Sequence, residues 1–229
     1  MSLFAHIVVF VQRRSPYRFC LFLIIALFSA GCGVTLPIRP IEEGKTEYSA
    51  SFGGPVIPAG GIAFPVPYLN VGMLYGLRPN MTVYGNAHIT ALLFKNVALD
   101  GGFTSRLLPE KGYRPEVDLT IRGYLFWDAF RGTTVRVYPM GTLTGSYAVG
   151  ERSLFYFGAD DLYQFSTSEM FLSPFIGYSF PVSDAMLMQC ETKWLAMNKD
   201  TRHGLFEGAA SVGGKGNIGL FLGLQWRME

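Results

Sequence analysis

Three histidines, a pair of adjacent aspartates and one glycine-rich loop are the residues of this chain whose types could do chemistry. His88 falls in MTVYGNAHITAL, on the polar side of an alternating segment with Thr82, Tyr84, Asn86 and Thr90. A lone histidine there reads as a hydrogen-bonded filler before it reads as a base. His6 lies in the leader, and His203 joins Asp200 and Glu207 in NKDTRHGLFEG, a loop of mixed charge. Asp160 and Asp161 are consecutive, so on a strand they point to opposite sides and cannot work as an acid/base pair. SVGGKGN has glycines and Lys215 but neither the spacing nor the following helix of a phosphate loop. Cys20, Cys32 and Cys190 build no disulfide framework and no cysteine metal site. The chain therefore calls for no catalytic residue, no cofactor and no metal.

The elements that could position such residues begin after a leader. QRRSPYRFCLFLIIALFSAGCG has a basic stretch, an apolar run from Phe19 to Phe28, then Ser29, Ala30 and Gly31 ahead of Cys32. That is the three-part layout of an export signal, and its apolar run is shorter than the roughly 20 residues of a spanning helix. The stretch FSAGC resembles the lipobox of bacterial lipoproteins, although Ser29 stands where that family more often has leucine. The resemblance implies a signal peptide over 1–31 and lipidation of Cys32. Cleavage after Ala30 by a general signal peptidase is the alternative. Residues 32–44, with two prolines and no period, read as lipid anchor and tether, and residues 45–229 as one domain.

Composition narrows that domain. The chain is 49% apolar and 16% charged, with 27 glycines and 15% aromatics, which leaves little charge for a water-facing surface. The net charge of +2 belongs to Arg13, Arg14 and Arg18 of the leader, and without them 16 basic residues face 17 acidic ones. Nothing in that balance points to nucleic acid. Ten segments alternate with a period of two: 45–53, 66–77, 81–93, 96–107, 116–127, 133–149, 153–165, 170–181, 185–197 and 216–228. Many reach the ~9 to 11 residues of a tilted spanning strand, beyond the ~5 to 6 of soluble domains.

The chemistry of the two faces matters more than their period. In EVDLTIRGYLFW, Val117, Leu119, Ile121, Leu125 and Trp127 oppose Glu116, Asp118, Thr120, Arg122 and Tyr124. In GNIGLFLGLQWRME, Ile218, Leu220, Leu222, Leu224 and Trp226 oppose Asn217, Gly219, Phe221, Gly223, Gln225 and Arg227. The polar faces are rich in Thr, Tyr, Ser and Gly and poor in Lys, which suits an enclosed interior better than bulk water. Asp100, Arg106, Glu116, Asp118, Arg122, Arg136, Glu191, Lys193 and Arg227 are the expected interior charges, mixed in sign so that they can pair. Trp127, Trp194 and Trp226 are the expected interface aromatics.

With this pattern the chain resembles a Gram-negative outer-membrane β-barrel. The expectation is an all-β, antiparallel up-and-down transmembrane barrel of about ten strands, with a small filled or narrow lumen. The resemblance implies outer-membrane lipid as partner, assembly by the outer-membrane machinery and an outer-membrane location. It names no extracellular partner. The expected role is structural or surface-interacting, through the extracellular loops. The alternatives are a narrow transport or small apolar-ligand-binding barrel, and a lipid-anchored soluble barrel of lipocalin type with its apolar face inside. An outer-membrane hydrolase is the enzymatic alternative.

Overall fold

The computed structural model describes residues 33–228, apart from 60–61, 131, 133 and 201–209. Among the described residues eleven strands form one antiparallel sheet: β1 Thr46–Ala59, β2 Ile62–Pro65, β3 Tyr68–Arg78, β4 Met81–His88, β5 Val97–Leu108, β6 Glu116–Trp127, β7 Val135–Ala148, β8 Leu154–Gln164, β9 Glu169–Pro181, β10 Met186–Asp200 and β11 Lys215–Arg227. Each strand pairs with its neighbour in sequence, except that β2 folds back only on the far half of β1, from Val56↔Pro65 to Ala59↔Ile62. β1 and β3 pair directly, and β11 returns to β1 from Glu47↔Arg227 to Pro55↔Gly219. The sheet thus closes as a ten-stranded up-and-down barrel with no free edge in its wall.

Closure with a period of two gives every strand one inward and one outward face, and the polarity of those faces is decisive. On β11, Leu220, Leu222 and Leu224 are exposed, while Phe221, Gly223 and Gln225 are buried. On β3, Val71, Met73, Tyr75 and Leu77 are exposed around a buried Leu74. The fully buried set is dominated instead by Thr82, Thr104, Asp118, Thr120, Thr142 and Thr144. Apolar side chains outside and hydroxyls inside reverse a water-soluble barrel. Such a continuous apolar wall is stable only against hydrocarbon. The lipocalin-type alternative, which needs the apolar face inside, is overturned by this polarity.

One expected strand ends early. Residues 81–93 read as a single strand, but β4 stops at His88 and α1, Ile89–Leu93, makes one helical turn. The period of two fails there, because Ala91, Leu92 and Leu93 are consecutive apolar residues. Turning inward, the Thr90 hydroxyl accepts the Leu69 N–H at 2.8 Å, beyond the last β3–β4 pair, Asn70↔His88. The short connections 79–80, 149–153 and 182–185 lie at one end of the barrel with 109–115, and the connection 165–168 lies at the other.

Candidate functional site: a lumen occupied by the N-terminal segment

Residues 33–41, expected to tether, are packed inside the barrel. Val34, Thr35, Leu36, Ile38 and Ile41 are all buried. Ile38 packs on Tyr156 and Phe175, and Ile41 on Leu74 and Tyr84. Burial of each large aliphatic side chain contributes about 1.5–3 kcal/mol, more than a solvated linker would gain. The wall is shaped to receive the segment. A Cβ on Gly223 would stand 2.7 Å from Val34 Cγ2, and a Cβ on Gly76 would meet the Glu42 and Ile41 carbonyls. Where the segment leaves the lumen, the Gly44 N–H donates to the Gly76 carbonyl and the Gly76 N–H to the Lys45 carbonyl.

Its backbone is held by charged side chains from facing walls. On β6, Arg122 donates to the Tyr84 hydroxyl at 2.7 Å, the Tyr124 hydroxyl at 2.8 Å and the Leu36 carbonyl at 3.2 Å. Asp100 lies 3.7 Å from the same guanidinium, and accepts from Asn86 at 2.8 Å. On β10, the Glu191 carboxylate accepts the Thr35 N–H at 3.0 Å, and Lys193 pairs with Asp160 at 2.6 Å and Glu191 at 3.2 Å. Thr142 donates to Asp160 at 2.7 Å. A backbone threaded through a lumen must find partners for its amides, and these ions supply them.

A third group sits near the short-turn end. Arg39 donates to the Ser146 hydroxyl and to the Glu110 carboxylate, both at 2.7 Å, and its Nε lies 3.8 Å from Glu116. The hydrogen bond from Arg39 holds the Glu110 carboxyl below its usual range, partly opposed by desolvation. Arg106 pairs with Glu116 at 2.8 Å. Glu47 takes hydrogen bonds from Gln225 and from Arg227, the latter at 3.0 Å. This end opens on a pocket of about 260 Å³ lined by Arg39, Glu47, Arg152, Leu154, Gln225 and Arg227.

Of the nine expected interior charges, Asp100, Glu116, Asp118, Arg122, Glu191 and Lys193 are buried in the lumen. Arg106 and Arg227 are on the inward face but partly exposed at the short-turn end. Arg136, register partner of the half-buried Phe126, is exposed towards the opposite mouth. Trp127 is 43% exposed at the end of β6, Trp226 stacks on Tyr48 with centroids 5.9 Å apart, and Trp194 donates its indole N–H to the Lys215 carbonyl. Cys32, His203 and Glu207 lie outside the described residues.

Sequence reasoning missed Asp160, Glu47, Thr35 and Arg39 as members of the site. The neighbour of Asp160 in sequence is Asp161, whereas its ionic partner Lys193 is 33 residues away. The segment itself carried a signal: VTLPIRPI puts four large aliphatic residues and one arginine in eight positions. A solvated tether has no use for that composition.

His88 hydrogen bonds to Asp100 through Nε2 at 2.7 Å and is 2% exposed. Its Nδ1 has no hydrogen-bond partner among the described residues, so no hydroxyl completes a nucleophilic triad with it there. Around it, Tyr68, Tyr124 and Phe126 form a ring cluster that continues to Tyr138. Among the described residues, no three His, Cys, Asp or Glu side chains converge as a metal site.

No protein-family model matches this chain, and no curated protein matches it by sequence. Solved structures do. An outer membrane channel from Pseudomonas putida F1 is similar at 10% identity and a TM-score of 0.49, over 85% of this chain and 99% of that one. Ail, the attachment invasion locus protein of Yersinia pestis, is similar at 13% identity and a TM-score of 0.28, over 82% of this chain and 100% of that one. The translocator domain of the autotransporter NalP from Neisseria meningitidis is similar at 10% identity and a TM-score of 0.35, over 93% and 95% of the two chains. Likeness at this level assigns no residue of this chain a role.

Proposed function

We propose that this protein is a Gram-negative outer-membrane β-barrel whose lumen is closed by its own residues 33–41, and whose role is structural or surface-interacting. The observation that carries this reading is the filled lumen, in which Arg122, Glu191 and Lys193 hold the segment from facing walls. The apolar outer wall, with Leu222 at 46% exposure and Ile176 at 51%, supports a lipid neighbour. Interaction with partners falls to the loops opposite the short turns. Reconstituted in planar bilayers, the full-length barrel is expected to give no large steady conductance; a stable open pore would sink the closed-lumen reading.

A narrow transport barrel is the second reading, and one feature favours it. The segment is held by hydrogen bonds and ion pairs that water can replace, so its departure leaves a polar path. Deleting 33–41 should then produce a small steady conductance that the intact chain lacks. Loss of folding without conductance would favour the structural role.

The leader reading belongs to the same proposal. Residues 1–31 are read as an export signal and Cys32 as the lipidated residue, with delivery to the outer membrane by its assembly machinery. Labelled palmitate should enter the wild-type protein and not Cys32→Ala. A mature N-terminus immediately after Ala30, without label, would replace lipidation by ordinary cleavage.

A further inference from the structure

Asp118 is fully buried on the inward face of β6, and neither carboxylate oxygen has a hydrogen-bond partner among the described residues. Thr144 stands directly across on β7, 1% exposed, and its hydroxyl is unpartnered too. Native structures leave few buried polar atoms unsatisfied, and a carboxylate with both oxygens bare is among the costliest. Something of complementary chemistry belongs beside it.

The surrounding positions say what that is. On the inward face here three neighbouring cross-strand pairs, Glu116↔Ser146, Asp118↔Thr144 and Thr120↔Thr142, consist entirely of oxygen-bearing side chains. The nearby cations are engaged elsewhere: Arg106, the register partner of Asp118 on β5, bonds Glu116, and Arg39 bonds Glu110 and Ser146. Three carboxylates, Glu110, Glu116 and Asp118, therefore share two guanidiniums. The third carboxyl, that of Asp118, takes no hydrogen bond from either guanidinium and is enclosed among hydroxyls. Oxygen ligands and uncompensated negative charge select a hard cation, one that keeps part of its hydration shell.

We propose that Asp118 and Thr144 form a binding site for a hard, oxygen-seeking cation. Asp118 supplies charge and two ligand oxygens, Thr144 a third, and water completes the shell. The site lies in the lumen wall and is independent of what the outer loops bind.

The test uses the full-length barrel in detergent, in calcium chloride, sodium chloride or choline chloride at matched ionic strength. Saturable stabilisation by calcium or sodium over choline is expected in the wild type, with loss of that increment in Asp118→Asn. Thr144→Val should keep the response and weaken its half-saturating concentration about tenfold, by removal of one ligand. Equal salt responses in the wild type and Asp118→Asn, or no response in either, would overturn the site, since the cation would then act elsewhere or not bind. Should Asp118→Asn fail to fold, an unchanged half-saturation in Thr144→Val overturns it equally.

Discussion

Arg122 and Asp118 lie four residues apart on the same inward face of β6, both buried, and their surroundings could hardly differ more. Arg122 has two tyrosine hydroxyls, the Leu36 carbonyl and Asp100 around its guanidinium. Asp118 has no hydrogen bond to either oxygen among the described residues. Burial imposes the same electrostatic demand on both, so the difference marks two kinds of polar interior. The saturated centre is part of the fold, because every partner it holds would be orphaned without it. The bare centre adds no such constraint and is free to take a ligand.

Removing Arg122 should therefore do the most damage. Arg122→Met keeps the volume but leaves Tyr84, Tyr124 and the Leu36 carbonyl without a donor, and Asp100 without its nearest fixed cation. A loss of about 3–5 kcal/mol is expected, measured by urea unfolding in lipid vesicles followed through tryptophan fluorescence. A change below 1 kcal/mol would erase the distinction between the two centres. Gly223→Val comes next: its side chain would occupy the space of Val34 and the Gln189 amide, which stand 2.7 and 2.6 Å from a Cβ there. Overpacking of about 1–3 kcal/mol should appear as displacement of the plug, read as protease cleavage within 33–41 that the wild type resists. Asp118→Asn, by contrast, should leave the barrel no less stable in choline chloride, since no native hydrogen bond is lost and an unpaired buried charge is removed.

The sequence exposes one half of this comparison more readily than the other. Inward and outward positions follow from a period of two, which is why the ten strands and both faces of β6 and β11 are legible without coordinates. Depth is not encoded in that period. Arg136 shares the inward parity of Arg122, yet it lies near a strand end and is exposed. Partnership is not encoded either, because it depends on long-range closure: Arg122 meets Tyr84 38 residues away and Leu36 86 residues away. The plug was hidden for a related reason. Without a period, VTLPIRPI matches no element template, although its aliphatic content argued for burial. The helical turn at Ile89–Leu93 was hidden by length, since five residues are too few to show a period of 3.6.

The smallest expected effect tests where the saturated region ends. Glu110 lies in the connection 109–115 outside the wall strands, joined to Arg39 of the plug, with 26% of its side chain exposed. Its folded pKa is depressed by the Arg39 hydrogen bond from the ordinary 4.5, so the pair contributes stability above that value and loses it as pH falls through the folded value. Exposure to water limits the contribution to about 0–1 kcal/mol. Between pH 6 and pH 3, protease cleavage within 33–41 should rise modestly in the wild type. Glu110→Gln should start from the raised level at pH 6 and lose that part of the pH response. An identical pH profile in both proteins would show that Arg39 is held by Ser146 and Glu116 alone, and would move the boundary of the plug's ionic anchoring inward to the lumen wall.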